Sequence, residues 1–554
     1  MCLSIAKEAV MGIYLNPGSA SFQMALDSEI YVDKTEMIRY VNSVVNTSQK
    51  YIAVSRPRRF GKSYAANMLC AYYGSSESRK LFETCKISGY ENWDKYLGEF
   101  DVIRLVMTEF VKTGVNMEEA IGELSHCVTR DLRREYPDVE YYKPNNLIKS
   151  LGDVYAEKGR RFVVIIDEWD SIFRACKDDK ESQKKYLDFL RDWLKDRDYI
   201  ALAYMTGILP IKKYGEHSAL NMFFEYSMIS PLQLAKYTGF TDDEVKELCV
   251  KYNMRYEDVS DWYDGYIVSD TIPVENRKEY RAGDYEAHQI SVYSPLSVVR
   301  AMSTGIIENY WNRTETYEAL AEYINRDFDG MKETVAILMD GGRVKVNVRR
   351  YQNDMTTFAD RDDVLTLLIH LGYLGYDSKT CEVFIPNKEI LDEFKNSTEN
   401  DKAWTAVFKA IKTSEDLLNA IWNMDEEKTA RLMELAHDRT GNKTYNDEAA
   451  LSYGIQYALY AAQRYYTTIQ ELDTGKGYAD IVYLPSPKYS GKPALLVELK
   501  YNKDVKTAVD QVMDRNYPQV LEHYAGNILV VGINYDKDVG GEEFKKHSCR
   551  IEKV

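Results

Sequence analysis

The sequence predicts an α/β protein: a parallel sheet with helices on both faces, a largely helical middle region, and a second, smaller α/β unit at the C-terminal end. Three observations predict it. Short apolar runs alternate with stretches of helical periodicity over residues 51–205, the pattern of strand–helix–strand units. Helical spacing then dominates over 300–440. Apolar runs return at 465–472, 478–484, 494–500 and 528–533, with an amphipathic stretch at 505–513 between the last two.

Residues 16–50 lead in. Asp33, Lys34 and Thr35 stand where a cap would precede a helix over 36–45. Tyr51-Ile52-Ala53-Val54 reads as a buried strand, and Arg56-Pro57-Arg58-Arg59-Phe60-Gly61-Lys62-Ser63 follows it, with a helix over 64–73. Strand, loop with Gly-Lys-Ser, then helix is the context of a phosphate-binding loop. Backbone N–H groups and the helix dipole favour an anion there. Lys62 is expected to reach the β- and γ-phosphates and Ser63 to hold Mg2+. Arg56 occupies the position where G-x-x-x-x-G-K-[ST] has its first glycine, so the loop must turn differently, helped by the fixed φ of Pro57. A basic turn between a strand and a helix would read the same on this stretch alone. If the loop holds a nucleotide, the lead-in is expected near the base; a capped surface helix fits it equally.

Residues 101–107 read as the next strand, and 117–136 and 146–158 as helices. Arg161-Phe162-Val163-Val164-Ile165-Ile166-Asp167-Glu168-Trp169-Asp170 is an apolar strand ending in acids. Two carboxylates at the end of a buried strand are costly without a cation. A Mg-nucleotide supplies one, with Asp167 holding Mg2+ through water and Glu168 polarising the attacking water. An acidic turn opening the next helix is the plainer reading, and the two stretches together favour the nucleotide. Residues 182–197 carry helical spacing, and 199–205 form a strand ending at Thr206-Gly207. Lys62, Asp167 and Thr206 all fall at C-terminal strand ends, where open parallel sheets bind ligands. Thr206 is either a γ-phosphate sensor or an ordinary strand-end threonine.

From about 235 the character changes. Gly239-Phe240-Thr241-Asp242-Asp243-Glu244 is a helix start with an acidic first turn, Trp262-Tyr263-Asp264-Gly265-Tyr266 an aromatic turn, and Tyr293-Ser294-Pro295-Leu296 another helix start. A helix over 362–371, the turn Gly372-Tyr373-Leu374-Gly375-Tyr376 and the short strand Val383-Phe384-Ile385 together look like a winged helix. No basic recognition helix accompanies it, which favours a packing lid over a DNA reader. Residues 399–402 are a polar linker candidate.

In the last unit, 446–462 reads as a helix before the strand 465–472, the turn Thr474-Gly475-Lys476-Gly477 and the strand 478–484. Asp480 on one strand and Glu498-Leu499-Lys500 at the end of the next has the spacing of a metal nuclease. Alternation puts Glu498 and Lys500 on one face. Asp480 and Glu498 would hold Mg2+, which takes oxygen ligands and lowers the pKa of bound water, while Lys500 would position that water and stabilise developing charge. Glu448 could complete the metal shell, with Gln511 and Tyr517 bracing the site. A salt bridge on an edge strand is the plainer reading; the helix and strand order around the residues favours the nuclease.

The chain has 554 residues, 45% hydrophobic and 29% charged, which suits several domains with ordinary cores. A net charge of -16 exerts no overall pull on nucleic acid, so any DNA contact needs a local basic groove. The 45 tyrosines read mainly as half-buried packing residues. Eight scattered cysteines without a C-x-x-C pair count against a zinc ribbon or a thiol redox motif and suit a reducing cytoplasm. Lys7 and Glu8 interrupt the start where a signal peptide would be apolar, and no run approaches a membrane-spanning length.

These stretches together resemble a family of bacterial fusion proteins, an AAA-ATPase-like domain followed by a PD-(D/E)XK nuclease domain. The resemblance rests on Tyr31-Val32-Asp33-Lys34, the loop 56–63, Ile166-Asp167-Glu168-Trp169-Asp170, Thr206-Gly207, Trp262-Tyr263-Asp264-Gly265-Tyr266, Gly372-Tyr373-Leu374, Ile385-Pro386-Asn387, Gly477-Tyr478-Ala479-Asp480 and Glu498-Leu499-Lys500. It implies an additional-strand P-loop NTPase core, a restriction-endonuclease-like C-terminal fold, and a loop in which Arg56 is the family's own choice. Trp169 stands where the family usually has Tyr, and Ala479 where an Arg is common. The expected domains are 16–232 (ATPase), 233–400 (helical lid with the winged-helix-like element), 401–440 (helical linker) and 441–554 (nuclease). The expected activity is ATP hydrolysis coupled to Mg2+-dependent cleavage of DNA, with ATP and DNA as partners, no membrane, and a homo-oligomer as a further expectation. The alternative is an ATP-dependent switch whose terminal domain binds nucleic acid or a partner without cutting. A helicase is disfavoured because no second motor domain is visible.

Overall fold

The fold is given by a computed structural model. It describes residues 12–211, 220–271, 278, 289–311, 317–326, 328, 330–351, 358–398, 402–440, 455, 458–459, 461–462, 465–473, 478–485, 489–502, 524, 526–536 and 546–554. The chain divides into two compact units, one of Met1–Met331 with Val344–Ser397 and one of Lys332–Arg343 with Thr398–Val554.

The first unit is built on five parallel strands: β1 (Tyr51–Ser55), β2 (Asp101–Val106), β3 (Phe162–Asp167), β4 (Ile200–Gly207) and β5 (Phe224–Tyr226). Their order is β2-β3-β4-β1-β5, so β4 lies between the two motif-bearing strands, the additional-strand arrangement that the resemblance implies. Every residue of β1, β3 and β4 is buried. A parallel sheet covered on both faces demands that, which is why these strands read as unbroken apolar runs. Val106 lies level with Asp167, Ile166 with Met205, and Val54 with Thr206. The loop after β1, the acids after β3 and the end of β4 therefore share one edge of the sheet. On one face the helix Lys62–Gly74 buries Ala66, Leu69 and Tyr73 against Val102, Val163 and Ile165.

The lead-in differs from expectation in its capping. Its helix is Met37–Val44, and no side chain caps it. Asp33 Oδ1 instead accepts the Thr35 N–H (2.8 Å) and hydroxyl (2.7 Å), and its Oδ2 accepts the Lys86 N–H (2.6 Å). A short polar side chain can bond either its own following backbone or a helix start, and here a tertiary partner draws it away. Lys34 donates to Glu244 (2.6 Å) and to the Lys236 carbonyl (2.7 Å). Glu244 is also the second half of a capping box with Thr241 at the start of the helix Asp242–Lys251.

Two small sheets complete this unit. β6 (Phe240–Thr241), β7 (Tyr266–Ser269) and β8 (Gln289–Tyr293) pair antiparallel in the order β6-β8-β7. The helix Arg361–Leu371 ends at Gly372, whose φ of +89° makes the left-handed turn a glycine accommodates. β10 (Gly375–Asp377) and β11 (Glu382–Phe384) then form the expected hairpin, joined by β9 (Val344–Lys345). Added at Gly372, a Cβ would lie 2.8 Å from the Pro57 side chain, so the turn packs directly on the loop after β1.

Glu389 fastens the same region. It is 1% exposed and accepts the Ser297 hydroxyl (2.8 Å) and the N–H groups of Tyr310 (2.8 Å) and Trp311 (3.0 Å). Burial raises its carboxyl to about 7 despite those bonds. A raised folded value means that Glu389's contribution is complete below the unfolded value of 4.5 and lost as pH rises through 7. Glu389→Gln should therefore stabilise the protein at pH 8 by about 1–3 kcal/mol and flatten its pH dependence between 5 and 8. Urea unfolding at pH 5 and pH 8 checks this, and an equal effect at both values would contradict it.

The second unit is a mixed sheet in sequential order: β12 (Tyr466–Asp473), β13 (Tyr478–Pro485), β14 (Ala494–Tyr501), β15 (Ile528–Tyr535) and β16 (His547–Lys553). β14 and β15 run parallel, and the other neighbours antiparallel. Leu417, Leu418, Ile421 and Met433, from the helices Lys402–Trp422 and Glu426–Thr440, pack on Val497, Leu499, Val531 and Ile533. The sequence did not mark β16. It reads as alternating polar and apolar residues, and Glu426 and Glu434 tie it down by accepting the N–H groups of Ile551 (2.9 Å) and His547 (3.0 Å). The predicted helix at 505–513 and most of that at 446–462 lie outside the described residues. No described helix is long and apolar enough to cross a membrane.

Candidate functional site

The loop after β1 turns at Arg59 (φ +68°) and Gly61 (φ +83°). Arg56 is not among the residues with positive φ, so the first motif position does not need glycine's freedom. Its side chain turns inward. Fully buried, it donates to the Thr238 hydroxyl (2.8 Å) and the Ser227 carbonyl (2.5 Å). Phe60 is buried against Tyr266, with ring centres 5.3 Å apart. Arg59 donates to the Trp311 carbonyl at 3.0 Å. Arg58 and Ser63 are exposed.

Gly61 caps the helix Lys62–Gly74. Lys62 is 8% exposed and donates to the carbonyls of Arg56 (2.9 Å) and Pro57 (2.7 Å). Burial pulls its ammonium down to about 8, while Asp170, Asp167 and Glu168 oppose that pull. A buried cation facing carbonyl dipoles and nearby carboxylates is poised for an anion that compensates it.

Across the sheet edge, Asp167 ends β3, buried, and accepts the Thr206 hydroxyl and the Glu168 N–H (3.1 Å). Arg104, on β2, lies 3.7 Å from its other oxygen. Thr206 thus joins the end of β4 to the end of β3 through Asp167. Glu168 adopts φ +53°, a left-handed conformation that glutamate rarely takes. Its carboxylate meets the Arg174 guanidinium at 2.5 Å. Asp170 is fully buried and accepts the N–H groups of Ile208 (3.1 Å) and Leu209 (3.0 Å), which locks the acidic turn onto the end of β4. Gly207 permits that lock, because a Cβ there would lie 2.7 Å from both Asp170 and Trp169.

A cavity of about 670 Å³ gathers these groups. Arg58 through Ala65, Asp167 and Glu168 line one part of it. Phe22, Ile30, Val32, Phe240, Leu296 and Val299 line an apolar part, so the lead-in stands beside the loop. Helix-start N–H groups, a buried ammonium and two carboxylates are the donor set of a nucleoside phosphate with a divalent metal, and the apolar part has the character of a base pocket. Arg104 and Arg174 were not foreseen, since neither stands at a motif spacing.

In the second unit, Glu498 (side chain 3% exposed) and Lys500 (11%) share one face of β14, with Nζ 2.9 Å from Oε1. Ile481 pairs with Val497 and Val482 with Leu496, and one further step of that register brings position 480 opposite 498. On β15, Gly532 lies beside Glu498 and Asn534 beside Lys500. The described pairing thus reaches Ile481 and Val497, the neighbours of Asp480 and Glu498. Glu448, Gln511 and Tyr517 lie outside the described residues.

The fold defines a protein with a P-loop NTPase-like parallel sheet in one unit and a nuclease-like mixed sheet in the other. Residues 18–215 match the family described as "Predicted AAA-ATPase", and residues 452–541 match the PD-(D/E)XK nuclease superfamily. The chain carries both domains. It is 24% identical over 256 residues to the "Uncharacterized protein in vnfD 5'region" of Azotobacter chroococcum mcd 1, covering 43% of this chain and 45% of that protein. The match therefore spans about half the length of the curated relative. Among solved structures the chain is similar to the Aeropyrum pernix ORC2 protein in ADPNP–ADP complexes, with 9% identity, 67% of this chain and 96% of that chain covered, and a TM-score of 0.28. It is also similar to C. elegans PCH-2, with 10% identity, 46% and 50% covered, and a TM-score of 0.19.

Proposed function

We propose that the first unit binds and hydrolyses ATP with Mg2+ and that the second cleaves DNA with Mg2+. The observation that carries the first half is the single cavity into which the loop 58–65, Asp167 and Glu168 all open. Lys62 and the loop N–H groups hold the β- and γ-phosphates, with Arg56 and Pro57 contributing carbonyls and Phe60 and Gly61 the loop's shape. Ser63 and Asp167 hold the metal, Thr206 orients Asp167, and Glu168 takes the proton of the attacking water. In the second unit Glu498 and Asp480 hold the metal, and Lys500 orients the nucleophile and offsets charge developing on phosphate. The bound metal supplies Lewis-acid polarisation and a more acidic water. Glu448 and Gln511 complete the proposed set. The proposed boundaries are 16–232, 233–400, 401–440 and 441–554, with the winged-helix-like element at 361–384 acting as a lid. The protein is proposed to act in the cytoplasm.

Incubation of plasmid DNA with the protein, Mg2+ and ATP tests this reading against Asp480→Ala. Cutting by the native chain that disappears in the variant is the expected result. No cutting by either, across Mg2+ and Mn2+, leaves the non-cutting switch as the function.

A further inference from the structure

Among the groups around the cavity, Arg174 stands apart, because it belongs to no motif and yet touches the residue proposed to handle the water. It lies in the short helix Ser171–Ala175, 17% exposed. One of its terminal nitrogens meets Glu168 at 2.5 Å and the other lies 3.9 Å from Asp170. Asp170 is itself pinned by the backbone N–H groups of Ile208 and Leu209. Arg174 thus stands between the two acids, hydrogen-bonded to Glu168 and within ion-pair distance of the pinned Asp170, and Glu168 lines the cavity. Glu168 is 40% exposed at its side chain and sits on a backbone turn of φ +53°. Among the described residues, Arg174 is the hydrogen-bond partner of that side chain.

We propose that Arg174 is the positioning residue for Glu168, holding its carboxylate at the mouth of the cavity so that it can accept the proton of water attacking the γ-phosphate. This rests on the ATPase reading. A base held by an orienting partner has the arrangement general-base catalysis uses. A planar guanidinium, with its donors in a rigid fork, does this better than an ammonium on a flexible stem.

The test compares Arg174→Ala, Arg174→Lys and Glu168→Gln in the full-length protein. For Arg174→Ala, kcat for ATP should fall about 10- to 100-fold, the range a displaced base gives. The Kd for a non-hydrolysable ATP analogue, measured by calorimetry with Mg2+, should stay within about threefold, because Arg174 meets acids and not the phosphate loop. Arg174→Lys should recover part of the rate, and added methylguanidinium should partly rescue Arg174→Ala but not Glu168→Gln. The proposal is overturned if Arg174→Ala turns over at the native rate or faster, if its analogue affinity falls in step with kcat, or if neither lysine nor methylguanidinium restores anything. Should Arg174→Ala not fold, Arg174→Gln takes its place, and a native rate there overturns the proposal. If the native chain does not hydrolyse ATP, or Glu168→Gln hydrolyses it normally, the ATPase reading itself fails and this proposal with it.

Discussion

If the cavity binds ATP as proposed, Lys62→Met should weaken that binding by roughly 30- to 1,000-fold while leaving the nucleotide-free protein about as stable as before. Lys62 is almost fully buried, and burial lowers its ammonium from 10.5 to about 8. That displacement corresponds to roughly 3 kcal/mol of unfavourable burial at neutral pH. The sign follows from proton counting. Between pH 8 and 10.5 the unfolded chain holds a proton that the folded chain has given up, so stability from this group rises with pH across that window and is lowest below it. Methionine removes the burial cost. It also leaves the carbonyls of Arg56 and Pro57 without the lysine's hydrogen bonds, at about 1–3 kcal/mol each. The roughly 3 kcal/mol gained offsets much of the about 2–6 kcal/mol lost, so thermal unfolding should shift by only a few degrees. Binding is different, because a triphosphate would meet the cation inside a desolvated cavity, where charge-assisted bonds are strong. Losing them should cost about 2–4 kcal/mol, roughly 30- to 1,000-fold in Kd. The native protein's affinity should also fall as pH rises above 8, since its ammonium must be charged to bind, and Lys62→Met should lose that dependence. Calorimetric titration with ATP at pH 7 and pH 9 decides it. A Kd for Lys62→Met within threefold of native, or no pH effect on the native chain, would remove Lys62 from the site.

The parts of this site that could be read in advance are those whose sequence pattern is local. β1 to β4 were legible because a doubly covered parallel sheet makes each strand a continuous apolar run, and the register then brought Lys62, Asp167 and Thr206 to one edge. What stayed hidden depends on partners far along the chain. Arg56 replaces a glycine without strain because its guanidinium finds Ser227 and Thr238, more than 170 residues later. Asp33 failed to cap its helix because Lys86 N–H competes for it. Arg174 depends on the left-handed backbone at Glu168, which no residue spacing announces. β5 escaped because its three residues, Phe224, Glu225 and Tyr226, carry a charge in the middle and form an edge. In the last unit the shared face of Glu498 and Lys500 was legible from alternation, whereas β16 depends on contacts from the helix Glu426–Thr440.

The pair Glu498–Lys500 allows chemistry and folding to be separated. Both groups are nearly enclosed and 2.9 Å apart. Glu498→Ala strands a buried ammonium, and breaking a buried pair from one side typically costs about 3–5 kcal/mol. A loss of cleavage in that variant alone would therefore be ambiguous. Replacing both members with apolar residues of similar volume, Glu498→Leu with Lys500→Met, removes both desolvation penalties together and is often neutral or stabilising. The double variant should accordingly unfold at a urea midpoint close to native and well above that of Glu498→Ala. Its cleavage of plasmid DNA should nonetheless fall by about 100-fold or more, the scale on which a preorganised charge at a reacting phosphate contributes. If the double variant is folded and still cuts, Glu498 and Lys500 are a structural ion pair on β14, and the cutting chemistry does not reside there. If it is as unstable as Glu498→Ala, the pair stabilises the sheet through bonds that apolar contacts cannot replace. The expected outcome is stability kept and cleavage lost, because a buried ion pair adds little to a fold that could use packed side chains, whereas it is the means by which a sheet face can grip a metal and a phosphate.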